Sequence, residues 1–545
     1  MKKSIALLLT LLLALSAFAG CSSTGNGSEA SDASSSSAGT SNQGDSQSVA
    51  SEIPSDVGVS DETLTVAMST EPNTIIPDIA FTSNDVSAIT ALLYETLYYS
   101  DYLTLQPTEG SIVEKTETID DTHFRLTLKQ GIKFHNGEEL TTADVLYTFE
   151  EAVKGGMAGE FVIYDVPNFV IEDDYNIIFA QTQPWAQAQE RLSFEQFFII
   201  NKDELEAAGG AGTTEQYLKS AGTGKYIFNE WVAGSHISVI RNDNYWNQDA
   251  LPYFKEIRFV FINDQTARGM AAQSGDVDVA LNAALANYSV YEADANVNTV
   301  LLPDNKTSTI FLNSGTGGPL EDVRVREAVY WCIDKEALRQ VAASGFGEIQ
   351  DTIISSLGPM WDGVAPETYT PDYDKAKQLL ADAGYADGLI LRLRTSSATP
   401  DITMIQEQLR LGGITVELEI AEFPVHFAAL GEGDFDMYTS SQQFAYYTEP
   451  VRCTDGLTYK FSDVMGGCGY KNEEYSAIAA RCYTAIDLTE RKAAYAELQE
   501  HFRENYVSIA LYSATGFALT ANDIDGLQLR GMGVVDLGLL YRTNA

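Results

Sequence analysis

A chemical site begins with nucleophiles, general bases or metal ligands at workable spacings, and this sequence supplies few. Five histidines stand at 123, 135, 236, 426 and 501. None belongs to an HExxH pair and no serine occupies a GxSxG elbow, so the zinc site of a metalloprotease and the strained nucleophile turn of a hydrolase have no sequence support. The cysteines at 332, 453, 468 and 482 contain no CxxC pair, which removes the spacing of a zinc site or a dithiol redox centre. Gly222 and Gly224 look like a phosphate-cradling loop, but a Walker loop needs a glycine where Lys219 stands. They are expected to allow a tight turn ahead of a strand at Tyr226 to Phe228. Gly275-Asp276-Val277-Asp278 stops after two carboxylates, short of a calcium loop, and reads as a solvated turn. Asp434 and Asp436 alternate along a predicted strand and are not expected to act as a catalytic dyad. Cys332 lies at helical spacing with Val325, Ala328 and Val329, the position of a buried core thiol. No catalytic residue, no metal and no cofactor is expected.

Charge narrows the partners. Acidic residues number 77 against 34 basic ones, a net −43, which repels nucleic-acid phosphates and anionic lipid surfaces. Membrane attachment must then be covalent or through an inserted segment, and the N-terminus bears on both. Lys2 and Lys3 precede an apolar run from Ile5 to Phe18, too short to span a bilayer comfortably and followed by small residues, as in a secretion signal. The segment Phe18-Ala19-Gly20-Cys21 resembles a bacterial lipobox, which implies a diacylglyceryl group on Cys21 as the new N-terminus, and two acyl chains anchor durably. Residues 21–57 are Ser, Gly, Thr, Asn, Asp and Gln with little apolar content, a flexible linker with a reach of about 30–35 Å.

The chain of 545 residues exceeds one core, so two or three packed units are expected. Leu64 to Met68 alternates as a strand. Phe124, Leu126 and Leu128 share one face of the next clear strand, Asn136-Gly137 marks a tight turn, and Thr141 with Asp144 has the spacing of a capping box. Val145, Leu146, Phe149 and Ala152 then fall on one helical face. Helix and strand signals interleave to the end, so the class is α/β or α+β.

The stretch FRLTLKQGIKFHNGEELTTADVLYTFEEAV, Phe124 to Val153, resembles a signature of the family-5 extracellular solute-binding proteins, receptors for peptides, nickel and oligopeptides. Further pieces agree in order. They are Leu64 to Pro77 with Glu71-Pro72, Leu93 to Leu97, GTGKYIFNEW from Gly222, RNDNYW from Arg241, QSGDVDVA from Gln273, DVRVREAVYWCIDKEAL from Asp322, YDKAKQLLADAG from Tyr373 and GDFDMYT from Gly433. The resemblance covers roughly residues 60 to 545. It implies an α/β, two-lobed fold of the periplasmic-binding-protein type II kind, a Venus flytrap with an extra subdomain in the first lobe. The layout carried across is a signal peptide at 1–20, Cys21 and linker to 57, a first lobe at 58–310 with the subdomain near 101–214, a second lobe at 311–504, and a return to the first lobe at 505–545.

The same resemblance implies capture of a small ligand, foremost a di- to oligopeptide, by a monomer that hands it to the permease subunits of an ABC importer. In the family the loop after the GDFD strand faces the cleft. Here Phe444, Tyr446 and Tyr447 would wall the pocket, Gln442 and Gln443 would bond peptide amides, and Glu449 before Pro450 would receive an α-ammonium where Asp is usual. Further cleft candidates are Ser69, Glu71 and Tyr94 from the first lobe, Asn313 at a crossing strand, Trp361, and Tyr512 near the return. A nickel chelate or an oligosaccharide is the alternative ligand, with a sensory receptor and a lipoprotein hydrolase as rival functions. Outside the cytosol a disulfide among Cys453, Cys468 and Cys482 would leave one thiol over, and the pairing stays open.

Overall fold

The computed structural model describes residues 53–54, 57–77, 84–99, 111–155, 163–186, 188–315, 317–397, 399–442, 468–470, 472–530 and 533–543. Its frame is a ten-stranded sheet. From one edge the order is Ile414–Ile420, Leu389–Thr395, Met437–Gln442, Val297–Leu312, Ser508–Ala521, Val279–Leu281, Thr63–Met68, Glu256–Phe261, His236–Arg241 and Tyr226–Val232. Leu389–Thr395 runs parallel to both of its neighbours, and so does Thr63–Met68. Parallel neighbours need a crossover, supplied by the helices Pro400–Leu411 and Phe423–Glu432 at one side and Gln265–Ser274 at the other. Coverage by helices explains why Leu64, Val66, Ala67 and Met68 are all buried, as in a strand shielded on both faces.

The two parallel sets meet through the antiparallel pair Val297–Leu312 and Ser508–Ala521. Val297 to Leu302 lies opposite Gly516 to Ala521, and Thr307 to Phe311 lies opposite Ser508 to Ser513. Register breaks between Pro303 and Thr307, where a proline that cannot donate to the ladder locally weakens pairing. On one side of the break, Ser508–Ala521 pairs with Val279–Leu281. On the other, Val297–Leu312 pairs with Met437–Gln442.

A separate four-stranded sheet, ordered Val113–Asp120, His123–Leu128, Asn176–Ala180, Val170–Ile171, packs on the helix Thr142–Lys154. The expected face of His123–Leu128 is the buried one, with Phe124, Leu126 and Leu128 inside. At the helix start the Asp144 carboxylate accepts from the Thr141 N–H and hydroxyl, both at 2.9 Å. Of the expected face, Val145, Phe149 and Ala152 are buried and Leu146 is half-buried against the same core. Phe149 sits among Tyr164, Phe169, Phe179 and Phe197 with ring centroids 5.3–5.6 Å apart, close enough for edge-to-face attraction beyond simple burial. Trp185 leaves this unit to pack edge-on against Tyr483 at 4.8 Å, Ala186 donates its N–H to the Tyr483 carbonyl, and Glu190 pairs with the buried Arg491 at 3.2 Å.

Three sequence expectations resolve differently or more sharply. Gly222 and Gly224 are required by close approach rather than by turn geometry, since a Cβ at Gly222 would lie 1.9 Å from the Leu93 carbonyl oxygen. Gly224 donates to that same oxygen, satisfying one of the orphan acceptors at the end of the helix Asn84–Leu93. Asp434 and Asp436 do not alternate on a strand, because the strand begins at Met437. In the turn before it both reach Arg392, Asp434 through Nη1 at 2.7 Å and Asp436 through the backbone N–H at 2.7 Å. Asp278 is less solvated than its turn implied. It accepts from the Thr65 N–H and from Arg542, a structural clamp between distant segments.

Cys332 is fully buried in the helix Val323–Cys332, and burial pushes its thiol up to about 12, far above a reactive range. Cys468 and Cys482 are buried. Cys453 and the lipidation candidate Cys21 lie outside the described residues.

Candidate ligand-binding cavity

Parallel strands direct their C-terminal ends to one edge, and loops leaving that edge form a crevice suited to ligands. Here Leu389–Thr395 and Met437–Gln442 run parallel, and a cavity of about 580 Å³ opens where they end. Its wall takes Thr395, Ser396 and Ser397 from beyond the first strand and Tyr438 to Ser441 from the second. The start of the helix Pro400–Leu411 adds Thr399, Pro400, Asp401 and Ile402, and the helix Phe423–Glu432 adds His426 and Leu430. Ser308, Tyr512 and Thr515 come from the long antiparallel pair, on both sides of its register break. Leu285 and the segment Val341 to Ala343 complete the lining. The volume lies in the range of small-ligand sites.

Local sequence explains the positioning. Thr399 stands at the N-cap with Pro400 at the first helical position, where a missing N–H costs nothing, so the helix begins at the cavity. Tyr438 is buried and stacks on Phe311 at 4.6 Å and 8°. Burial and then the Asp401 charge push the Tyr512 phenol up to about 12, so it stays a neutral hydroxyl. Burial, with Arg394 nearby, holds the His426 imidazole below its ordinary value, so it is neutral at pH 7. Arg394 itself is engaged by Glu419 at 2.6 Å and Asp434 at 3.0 Å.

The structure brings together few of the residues expected at a cleft. Tyr512 lines the cavity, and Gln442 ends the strand that walls it. Tyr94 is 1 % exposed in the core, its ring 6.2 Å from Phe198. Glu71 accepts from Trp231 Nε1 at 2.6 Å and from the Gly234 N–H at 3.0 Å. Buried Asn313 donates Nδ2 to the carbonyls of Phe435 and Gly433 at 2.8 and 3.2 Å, fixing the turn ahead of Met437–Gln442. Ser69 follows the strand Thr63–Met68 half-buried, and Trp361 is partly exposed. None of these five is part of the cavity wall. Gln443, Phe444, Tyr446, Tyr447 and Glu449 lie outside the described residues. Sequence reading missed Ser308, Thr395 to Ser397, Asp401 and His426. The hydroxyl run ending a strand just before a Thr-Pro helix start was the available signal.

A mixed sheet in which two sets of parallel strands are joined through a crossing antiparallel pair, with a cavity beside the crossing, fits a two-lobed α/β solute-binding protein. A profile of the bacterial extracellular solute-binding proteins, family 5 Middle, matches residues 108–461, and the chain belongs to that family. It is 23% identical over 443 residues to the oligopeptide-binding protein AppA of Bacillus subtilis (strain 168), covering 76% of this chain and 80% of AppA. Among solved structures, the periplasmic binding protein DppA of Helicobacter pylori in complex with the peptide STSA superposes with a TM-score of 0.75 at 20% identity, over 89% of this chain and 98% of DppA. NikA of Brucella suis in complex with Fe(III)-EDTA gives a TM-score of 0.75 at 21% identity, over 88% of this chain and all of NikA, 100%.

Proposed function

We propose that this protein is a lipid-anchored extracytoplasmic receptor that captures peptides and delivers them, chemically unchanged, to an ABC importer. The observation that carries this is the cavity at the strand ends, seated against the paired strands Val297–Leu312 and Ser508–Ala521. A register break beside a cavity is a natural place for two halves to pivot, and a ligand favours closure only by binding the closed form more tightly than the open one. Strand edges and hydroxyls offer a peptide backbone partners while tolerating varied side chains. The run from Gln442 to Glu449 follows the strand that walls the cavity, and in this reading its rings and carboxylate meet the ligand. Residues 1–20 direct export, Cys21 carries the anchor, and the linker gives a monomeric body the reach to its permease. The names of AppA, an oligopeptide-binding protein, and of DppA with its bound peptide support a peptide.

Native mass spectrometry of the purified protein tests the reading directly. The expected result is a co-purifying mass, lost after unfolding and refolding, that fragments as a peptide and is replaced by an added peptide without cleavage products. A metal chelate in its place would favour the second reading, for which the likeness to NikA with Fe(III)-EDTA is the supporting observation. Hydrolysis of the added peptide would end the receptor reading.

A further inference from the structure

Away from the paired strands Val297–Leu312 and Ser508–Ala521, the two halves of the large sheet are also bridged by the four-stranded unit. That unit hangs on one half. Val113 donates its N–H to the Leu97 carbonyl, Ile199 to that of Glu95 and His135 to that of Gly222, and Leu93, just ahead of them, packs with Leu64 and Val66. The helices Glu473–Thr484 and Leu488–Asn505 belong to the other half, where Tyr475, Ile478, Tyr495 and Leu498 share a core with Phe435 and Tyr438. Trp185 packs against both cores. The arm that carries it is fixed from its own side, since Gln181 Oε1 accepts from the Trp185 N–H at 2.9 Å and the Tyr164 hydroxyl donates to the Ala188 carbonyl. The Tyr483 carbonyl that accepts from the Ala186 N–H at 3.0 Å is one of the acceptors left over at the end of its helix, and Arg491 Nη2 donates to Glu190 Oε1 at 3.2 Å.

This contact is narrow and imperfectly satisfied. Trp185 Nε1, Glu190 Oε2 and Arg491 Nε are buried with no hydrogen-bond partner among the described residues, and each such atom offsets what the ring pair and the ion pair contribute. A permanent core satisfies its polar atoms. A contact that leaves such atoms bare sits near balance between made and broken, because water completes them once it parts. Resting on the receptor reading above for the pivot alone, we propose that Trp185, Ala186 and Glu190 form a clasp that grips Tyr483 and Arg491 and holds the two halves shut. None of these residues is part of the cavity wall, so the clasp acts on closure and not on the ligand. Its strength sets the share of ligand-free protein already in the shut form, and a guest has that much less of the closing cost to supply.

Hydrogen–deuterium exchange and native ion mobility of the full-length protein, freed of ligand by unfolding and refolding, provide the test. In the wild type, fragments carrying Ala186 are expected to exchange faster than those of His123–Leu128 and Leu389–Thr395, since the clasp opens without unfolding either core. Trp185→Ala should enlarge the collision cross-section and speed exchange at Ala186 about tenfold, the ratio that losing one buried ring pair gives, while both strand fragments keep their wild-type rates. Trp185→Phe should recover part of both shifts by restoring a ring. Glu190→Gln, which removes only the charge, should give them in smaller measure. A Trp185→Ala variant with unaltered cross-section and exchange overturns the clasp. So does exchange that rises equally in the strand fragments, the mark of a purely structural role, or a Trp185→Ala chain that fails to fold while Glu190→Gln matches the wild type. The receptor reading stands or falls separately, on the co-purifying mass, which none of these measurements uses.

Discussion

Burial sets the protonation of three histidines. His135 donates Nε2–H to the Gly224 carbonyl oxygen at 3.0 Å, and burial pushes its imidazole down to about 4. Burial also lowers His426 and His501, the latter with Nε2 2.8 Å from the Tyr470 hydroxyl. In the unfolded chain each titrates near about 6.5. As pH falls below that value, the unfolded state takes up protons that the folded state refuses, so stability rises with pH across this window. The melting temperature should fall from pH 7 to pH 4.5, and for His135 the loss should level off near its folded value. His135→Gln should flatten the profile by roughly 1–2 kcal/mol at pH 4.5, read from urea melts at both pH values. Asn313 offers a second measurement. Asn313→Ala leaves the buried Phe435 carbonyl unpaired, and a loss of about 1–3 kcal/mol at pH 7 is expected.

Elements made from local pattern alone were open to sequence reading. The alternation of His123–Leu128, the cap at Thr141 and the buried face of Thr142–Lys154 are set by neighbours within four residues, and periodicity reports such neighbours directly. What depended on distant segments was hidden. Gly222 answers to Leu93, about 130 positions earlier with the whole four-stranded sheet between them in the chain, a relation no local window contains. Asp434 and Asp436 were misplaced because the strand starts at Met437, three residues beyond Asp434, which leaves both in the turn before it. His426 belonged to no motif in the sequence, and only the assembled wall reveals it in the lining of a cavity. The cavity joins segments from residues 285 to 515, so its membership follows from topology, while the strand Met437–Gln442 that borders it was recognisable by the GDFD motif just before it. Two predictions test these elements. Gly222→Ala should destabilise by more than ~2 kcal/mol in chemical denaturation, because the added methyl collides with backbone that cannot rotate away. Phe149→Ala should cost about 3–5 kcal/mol by emptying the centre of an aromatic cluster, and the loss of near-ultraviolet ellipticity should accompany it.

Across the whole molecule, connectivity matters more than any one core. The four-stranded unit is tied to the helices Glu473–Thr484 and Leu488–Asn505 by Trp185 on Tyr483 and by Glu190 with Arg491. Removing one partner of a buried ion pair leaves the other charge stranded. Arg491→Ala is therefore expected to lower stability by roughly 3 kcal/mol, and Arg491→Ala with Glu190→Ala by less than the sum, in a double-mutant cycle. The net charge of −43 spreads repulsion over the surface.

The pairing of Val297–Leu312 with Ser508–Ala521 also governs when the chain can fold. Asn298 reaches the Asn522 carbonyl across 224 positions of sequence, and loop closure on that scale makes formation slow. A nascent polypeptide has no complete sheet until its last few dozen residues have been synthesised. Until Ser508–Ala521 arrives, the strands on either side of it lack a neighbour there, so the large sheet closes late even though the four-stranded unit already has its own core.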